Sequence, residues 1–196
     1  MRGRRVLMES FVSHGVRHIF GNPGTTETPL LDSLPAFPQI EYIMALHEGV
    51  AVSAASFYAQ ASGRVTVANL HVAPGLGNGI GSLYGALKAI SPVVVTAGQQ
   101  DTRMRLKNPL LGHDLVAMAA PVTKWSVQIE RADEIAPILR RAFKVATDAR
   151  HRAQCSYRYR STSWNRKPQS MRRRRIIGGD RRGPIRLAWK RWPRCC

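Results

Sequence analysis

Residues 65–97, V-T-V-A-N-L-H-V-A-P-G-L-G-N-G-I-G-S-L-Y-G-A-L-K-A-I-S-P-V-V-V-T-A, carry the pattern that decides the fold. Their first six residues are short, apolar and rich in β-branched side chains, which predicts a strand, and His71 with the glycines after it predicts a turn. A small-residue helix is expected over about 78–89, and the near-continuous apolar run 93–97 predicts a strand buried on both faces. Two strands joined by a helix of that length pair in parallel with a right-handed crossover.

The same alternation extends in both directions. Upstream, Leu7, Met8, Phe11 and Val12 repeat at helical spacing until Gly15. A strand follows over 16–20 and breaks at Gly21-Asn22-Pro23-Gly24. A further strand is expected over 40–46, then a helix over 47–61 with Val50, Ala51, Ala54, Phe57 and Tyr58 on its apolar face. Downstream, residues 125–129 predict another strand. Ile135, Ile138, Leu139, Ala142 and Phe143 mark an amphipathic helix, with Pro137 tolerated in its first turn. The expected fold is therefore α/β, a doubly wound, mostly parallel sheet with helices on both faces. Such sheets bind ligands beyond the carboxyl ends of their strands, where three loops fall: 21–26, 47–48 and 71–81.

Within those loops the residues admit bland and functional readings. Gly75, Gly77, Gly79 and Gly81 fit neither G-x-G-x-x-G nor a phosphate loop, and glycines also serve to let a helix pack closely on a sheet. Glu48 stands where a strand ends and a helix begins, so it either complements the helix dipole or acts on a ligand. His71, directly after a buried strand, is either a satisfied rim residue or a working imidazole. His14 and His18 have i, i+4 spacing but no third ligand nearby, so no metal site is expected.

The charge is unevenly spread. Residues 1–149 hold 14 Lys+Arg against 11 Asp+Glu, while the last 47 hold 16 against 1, so the net +18 belongs almost wholly to the tail. Cys155, Cys195 and Cys196 also lie there, and the rest of the chain is free of cysteine, as in a reducing, cytoplasmic setting. No apolar run reaches the roughly 18 to 20 residues of a membrane span, and Glu9 interrupts the first apolar stretch.

Four segments, F-G-N-P-G-T-T-E at 20–27, A-L-H-E-G-V-A-V at 45–52, N-L-H-V-A-P-G-L-G-N at 69–78 and V-V-V-T-A-G-Q-Q at 93–100, together resemble the pyrimidine-binding domain of thiamine-diphosphate enzymes, most closely the benzoylformate decarboxylase branch and more distantly acetolactate synthase. The resemblance covers residues 4–149. It implies that Glu48 is the glutamate that hydrogen-bonds the aminopyrimidine of the cofactor and that His71 handles protons near the substrate, these two being the catalytic pair. It also implies that Pro23, Gly24, Glu48 and Asn78 bind cofactor and that Asn22, Thr25 and His71 face the substrate. The implied cofactor is thiamine diphosphate, gripped here at its pyrimidine end only, with Mg expected in a separate C-terminal domain whose G-D-G…N motif is absent from this sequence. The implied substrate is a 2-oxo acid and the implied assembly a homodimer or tetramer, with no membrane or specific nucleic-acid partner. The chain departs from the resemblance at Ala55-Ser56-Phe57-Tyr58-Ala59, where A-D-G-Y-A is usual.

Residues 150–196 lose the periodic apolar pattern and turn to Arg, Trp, Cys, Ser and Pro. Two readings apply. One is a basic arm binding nucleic acid, with Arg172 to Arg175 as its best cluster. The other is a shifted reading frame. Taking each codon from the third base of the printed one, residues 150–168 permit P-P-G-P-V-F-L-S-L-P-I-D-V-L-E-Q-E-T; Gln154-Cys155 allows only Val or Met, and Trp164-Asn165 only Glu. The hidden run resembles the segment that closes this domain in the same family. The expected organisation is thus a cofactor-binding domain over 1–149 and an out-of-frame, disordered tail over 150–196, the chain being inactive alone and poorly soluble for want of its last strand.

Overall fold

The computed structural model describes residues 3–148. The tail over 150–196, and both readings of it, lie outside the described residues. The sheet holds four parallel strands: β1 (His18–Gly21), β2 (Glu41–Met44), β3 (Thr66–Leu70) and β4 (Val93–Ala97), in the order β2-β1-β3-β4. Two long helices carry crossovers, α3 (Glu48–Ser62) from β2 to β3 and α4 (Val72–Lys88) from β3 to β4, and α6 (Ile135–Thr147) follows β4. The chain enters through α1 (Gly3–Ser13), and the short helices α2 (Thr28–Leu31) and α5 (Leu115–Ala119) fill connections.

The two-residue period of the strands sorts the core into two layers. Ile19, Val67 and Val94 point to one side and join Met8 and Phe11 of α1 with Leu139 and Phe143 of α6. Phe20, Ala68 and Leu70 point to the other and meet Ala51, Val52 and Ala55 of α3 and Leu76 and Leu83 of α4. Neighbouring strands are in register through these rows: Ile19 beside Val67, and Val67 beside Val94. The expected doubly wound architecture is the one observed, and no described helix is long and apolar enough to cross a membrane.

Four local expectations are corrected. The glycine-rich stretch after His71 is not a turn but the first half of α4, which begins at Val72. Each glycine costs a helix about 1 kcal/mol against alanine, and tertiary contact compensates. A Cβ at Gly79 would sit 3.2 Å from Leu70 and 3.5 Å from Val52, so its absence lets α4 lie against β3 and α3.

Residues 125–129 form no strand. Their alternating pattern is that of an extended segment, but a cleft of about 410 Å³ separates them from β4, so the backbone has no ladder to join.

The second strand ends at Met44, short of the expected Leu46, which stands 97% exposed. Finally, Val50 and Phe57 of α3 point to solvent, 58% and 70% exposed, while Ala51, Val52, Ala55, Ser56 and Ala59 are buried. The helix is apolar on nearly all sides, so sequence periodicity could not say which stripe meets the sheet.

Candidate functional site

In the order β2-β1-β3-β4 the connections diverge between β1 and β3, and the crevice above that point is where such sheets place ligands. The segments leaving β1, β2 and β3 converge there around two buried carboxylates.

Glu48 opens α3. The preceding His47 caps that helix, its Nδ1 accepting from the Gly49 N–H at 3.0 Å. Freed from capping, the Glu48 carboxylate turns inward and is only 6% exposed. Its Oε1 accepts from Asn22 Nδ2 at 3.3 Å and its Oε2 from Asn78 Nδ2 at 3.0 Å. Asn22 directly follows β1 and Asn78 lies in α4, so one side chain ties all three rim segments together. Gly75 makes room for it: a Cβ there would lie 2.9 Å from Glu48 Oε1 and 3.4 Å from the Cβ of His71. Glu48 and His71 thus flank a single glycine.

The second carboxylate is Glu27, 4% exposed. Its Oε2 accepts from the Gly24 N–H at 2.9 Å and lies 2.8 Å from His71 Nδ1, while Thr26 Oγ1 donates to Oε1 at 2.6 Å. Thr26 Oγ1 is also 3.3 Å from His71 Nδ1. The imidazole of His71 is therefore oriented by a hydrogen bond to a buried carboxylate rather than by helix capping, since it makes no cap bond to α4. Its ring lies over Gly24, where any Cβ would collide with it, and a Cβ on Gly98 would collide with Glu27 and Thr26. The residue after it, Val72, has φ of 43°, a left-handed backbone that a β-branched residue adopts only at a cost of about 1–3 kcal/mol. Val72 is fully buried, and its packing holds the strained turn that presents His71.

Beneath the rim runs a polar chain across the sheet. Tyr42 of β2 reaches over Gly21 of β1 and donates to Asn69 Oδ1 of β3 at 3.1 Å; Asn69 Nδ2 donates to Thr96 Oγ1 of β4 at 3.0 Å. Gly21 must be glycine here, because a Cβ would collide with the Tyr42 hydroxyl and stand 2.6 Å from the Asn69 carbonyl oxygen. Burial, and secondarily the negative charge of Glu27, push the Tyr42 phenol far above its ordinary value.

Of the residues singled out in the sequence, the structure brings Asn22, Gly24, Glu48, His71 and Asn78 into this cluster. Thr25 stands exposed and Pro23 half-buried, and no hydrogen bond links either side chain to the two carboxylates. Glu27, Tyr42 and Asn69 were not expected in the site. A single acidic residue in T-T-E carries no periodic signal, and only the fold reveals that it is buried against a histidine 44 positions away. His14 stacks on Phe143 and His18 meets Tyr58 edge-on, so each is accounted for by packing.

Residues 1–118 match the family described as thiamine pyrophosphate enzyme, N-terminal TPP binding domain. The chain is 40% identical over 135 residues to benzoylformate decarboxylase of Pseudomonas aeruginosa, covering 68% of this chain and 25% of that protein. It is 29% identical over 150 residues to the acetolactate synthase isozyme 3 large subunit of Escherichia coli, covering 76% and 26%. Among solved structures, benzoylformate decarboxylase from Polynucleobacter necessarius superposes with a TM-score of 0.72 at 31% identity, covering 76% of this chain and 28% of that one. The thiamine diphosphate-dependent 4-hydroxybenzoylformate decarboxylase of Rhodococcus jostii gives 0.71 at 33%, covering 75% and 28%. The chain thus spans about a quarter of the length of the curated relatives it matches. A parallel four-stranded sheet with this rim, and a family match over more than half of its length, make the chain a member of the thiamine pyrophosphate enzymes, carrying their N-terminal TPP-binding domain.

Proposed function

We propose that this chain supplies the pyrimidine-gripping part of the cofactor site of a thiamine-diphosphate-dependent 2-oxo-acid decarboxylase or carboligase of the benzoylformate decarboxylase type, and that it is inactive alone. The observation that carries the reading is the position of Glu48, a buried carboxyl whose two partners are neutral amides from the other two rim segments. A carboxyl placed so, held by neutral amides at the rim, is positioned to hydrogen-bond a heteroaromatic nitrogen, which is the task a pyrimidine ring sets. The donor set therefore fits the pyrimidine end of thiamine diphosphate.

When bound, the cofactor would supply a nucleophilic carbon and an electron-accepting ring that takes up the electron pair left by decarboxylation. The residues of this chain do the positioning. Glu48 exchanges a proton at the ring nitrogen, Asn22 and Asn78 fix the carboxyl, and Pro23 and Gly24 shape the wall. His71, aligned by Glu27, delivers or receives a proton on the substrate side, toward which Asn22 and Thr25 also face. Among the described residues no group of three His, Cys, Asp or Glu side chains is placed to hold a metal ion. Mg and the diphosphate belong in this reading to a further domain.

The partner of that site is in this reading a second copy of the polypeptide. Leu46, Val50 and Phe57 project from the α3 side and Tyr84 from α4, all more than half exposed, while Gly81 and Gly85 of α4 have no neighbour within 4 Å of an added Cβ. Apolar side chains beside small ones suit close docking of another subunit's helices.

The test is a titration of the chain with thiamine diphosphate and Mg, followed by NMR of the side-chain amides. We expect binding on the order of 1 mM or weaker, with the Asn22 and Asn78 amide signals moving and the Glu48→Gln variant losing the effect. Micromolar affinity would show a diphosphate anchor within this chain, and shifts confined to another surface would remove the pyrimidine site from the rim; either overturns the reading.

A further inference from the structure

The surroundings of His71 decide which of its two ring nitrogens carries the proton. Nδ1 has two neighbours within hydrogen-bonding distance, Glu27 Oε2 at 2.8 Å and Thr26 Oγ1 at 3.3 Å. The Thr26 hydroxyl hydrogen is committed to Glu27 Oε1 at 2.6 Å, so the threonine oxygen turns its lone pairs to the ring. Glu27 is an acceptor throughout, taking the Gly24 N–H as well as that hydroxyl. A bare Nδ1 would bring the lone pairs of three atoms together, whereas a proton on Nδ1 makes a charge-assisted hydrogen bond.

Nε2 is the opposite case. It has no hydrogen-bond partner among the described residues and is not sealed from solvent, the side chain being 24% exposed. With Nδ1 turned to Glu27, Nε2 is the ring nitrogen left to the crevice. The seat that fixes this orientation has glycine at both of its contact points. A Cβ on Gly24 would collide with the ring, and one on Gly98 with the Glu27 carboxylate and Thr26 Oγ1. Gly24 follows β1, His71 follows β3 and Gly98 follows β4, so three strands hold the pair.

We propose that Glu27, clamped by Thr26, is a positioning residue that locks His71 in the Nδ1–H tautomer, so that the proton exchanged with a substrate always moves through Nε2. A free neutral imidazole samples both tautomers, and the other one would turn its lone pair into the protein. With the Nδ1 proton locked, the neutral ring presents a lone pair at Nε2 to accept a proton. The protonated ring presents an N–H at the same atom to donate it, and Glu27 keeps its three hydrogen bonds in both states. That the proton goes to or from a 2-oxo acid rests on the function proposed above; the tautomer rests on the geometry alone.

The test is a long-range proton–nitrogen correlation spectrum of the full chain with isotopically labelled histidine, without cofactor, at about pH 9, above the ordinary imidazole range. The His71 signals are those lost in His71→Gln. The unaltered chain should show a protonated Nδ1 and a bare Nε2. In Glu27→Leu the ratio of Nδ1–H to Nε2–H tautomer should fall by about tenfold or more, the weight of one charge-assisted hydrogen bond. Glu27→Gln, a neutral side chain of the same shape, should lower the ratio by a smaller factor and reads the effect if the leucine variant does not fold. The proposal is overturned if His71 of the unaltered chain carries its neutral-state proton on Nε2. It is also overturned if the ratio is unchanged in a folded Glu27 variant, which would leave Glu27 a staple for the loop alone. No cofactor is added, so either failure leaves the pyrimidine reading, tested through Asn22 and Asn78, untouched.

Discussion

Replacing Glu27 by alanine leaves three groups without their acceptor: the Gly24 N–H, the Thr26 hydroxyl and the His71 imidazole. The three are half-buried, so water offsets part of each loss and together they cost about 1–3 kcal/mol. We therefore expect Glu27→Ala to lower the unfolding free energy by an amount in that range, read as a lower urea midpoint at unchanged slope. A change within about 0.5 kcal/mol would match an ordinary surface site and contradict the burial argument. Glu48 and His71 stood out in the sequence because each lies where a strand gives way to a helix. Glu27 did not, because what makes it important is a contact with a residue far along the chain.

At the scale of single elements, α4 offers a matched pair of glycines. Gly81 has open space around it, so Gly81→Ala should raise stability by about 0.5–1 kcal/mol through helix propensity alone. Gly75→Ala gains the same propensity but drives its methyl onto Glu48 Oε1. That variant should show no comparable gain in a thermal melt, together with a displaced Asn22 side-chain amide signal.

The sheet supplies a pH-dependent counterpart in Tyr42, whose phenol is held protonated by burial and by Glu27. Below about pH 10 the phenol is neutral in both folded and unfolded chains and its contribution is intact. As pH rises past that value the unfolded chain ionises first, so stability drains away until the folded phenol also ionises. Tyr42→Phe should abolish this alkaline loss. It should also cost about 1–3 kcal/mol at neutral pH by orphaning the buried Asn69 Oδ1. Denaturant melts at pH 8 and pH 10.5 on both proteins check the two effects separately.

At the scale of the whole molecule, the described residues leave an apolar surface bare around α3, with Leu46 and Phe57 its most exposed members. We expect Phe57→Ser to reduce concentration-dependent association in light scattering while changing the unfolding free energy by no more than about 0.5 kcal/mol, since the side chain is 70% exposed. Unchanged association would mean that another surface drives it.

The alternation of helix and strand, the parallel winding and the choice of rim over edge were all readable in the chain, because they depend on local periodicity and on the chirality of crossovers. Placement singled out Glu48 and His71 but left a bland reading of each open, and only the family resemblance gave them roles. What residues do to one another across the sheet was not readable. The pairing of Glu27 with His71, the reach of Tyr42 over Gly21 and the helical state of the glycine-rich stretch each depend on contacts between segments distant in sequence. The alternation at 125–129 shows the same limit from the other side: period two prescribes an extended backbone, but a strand also needs a partner at hydrogen-bonding distance, and only the packing of β4, α5 and α6 determines whether one is there.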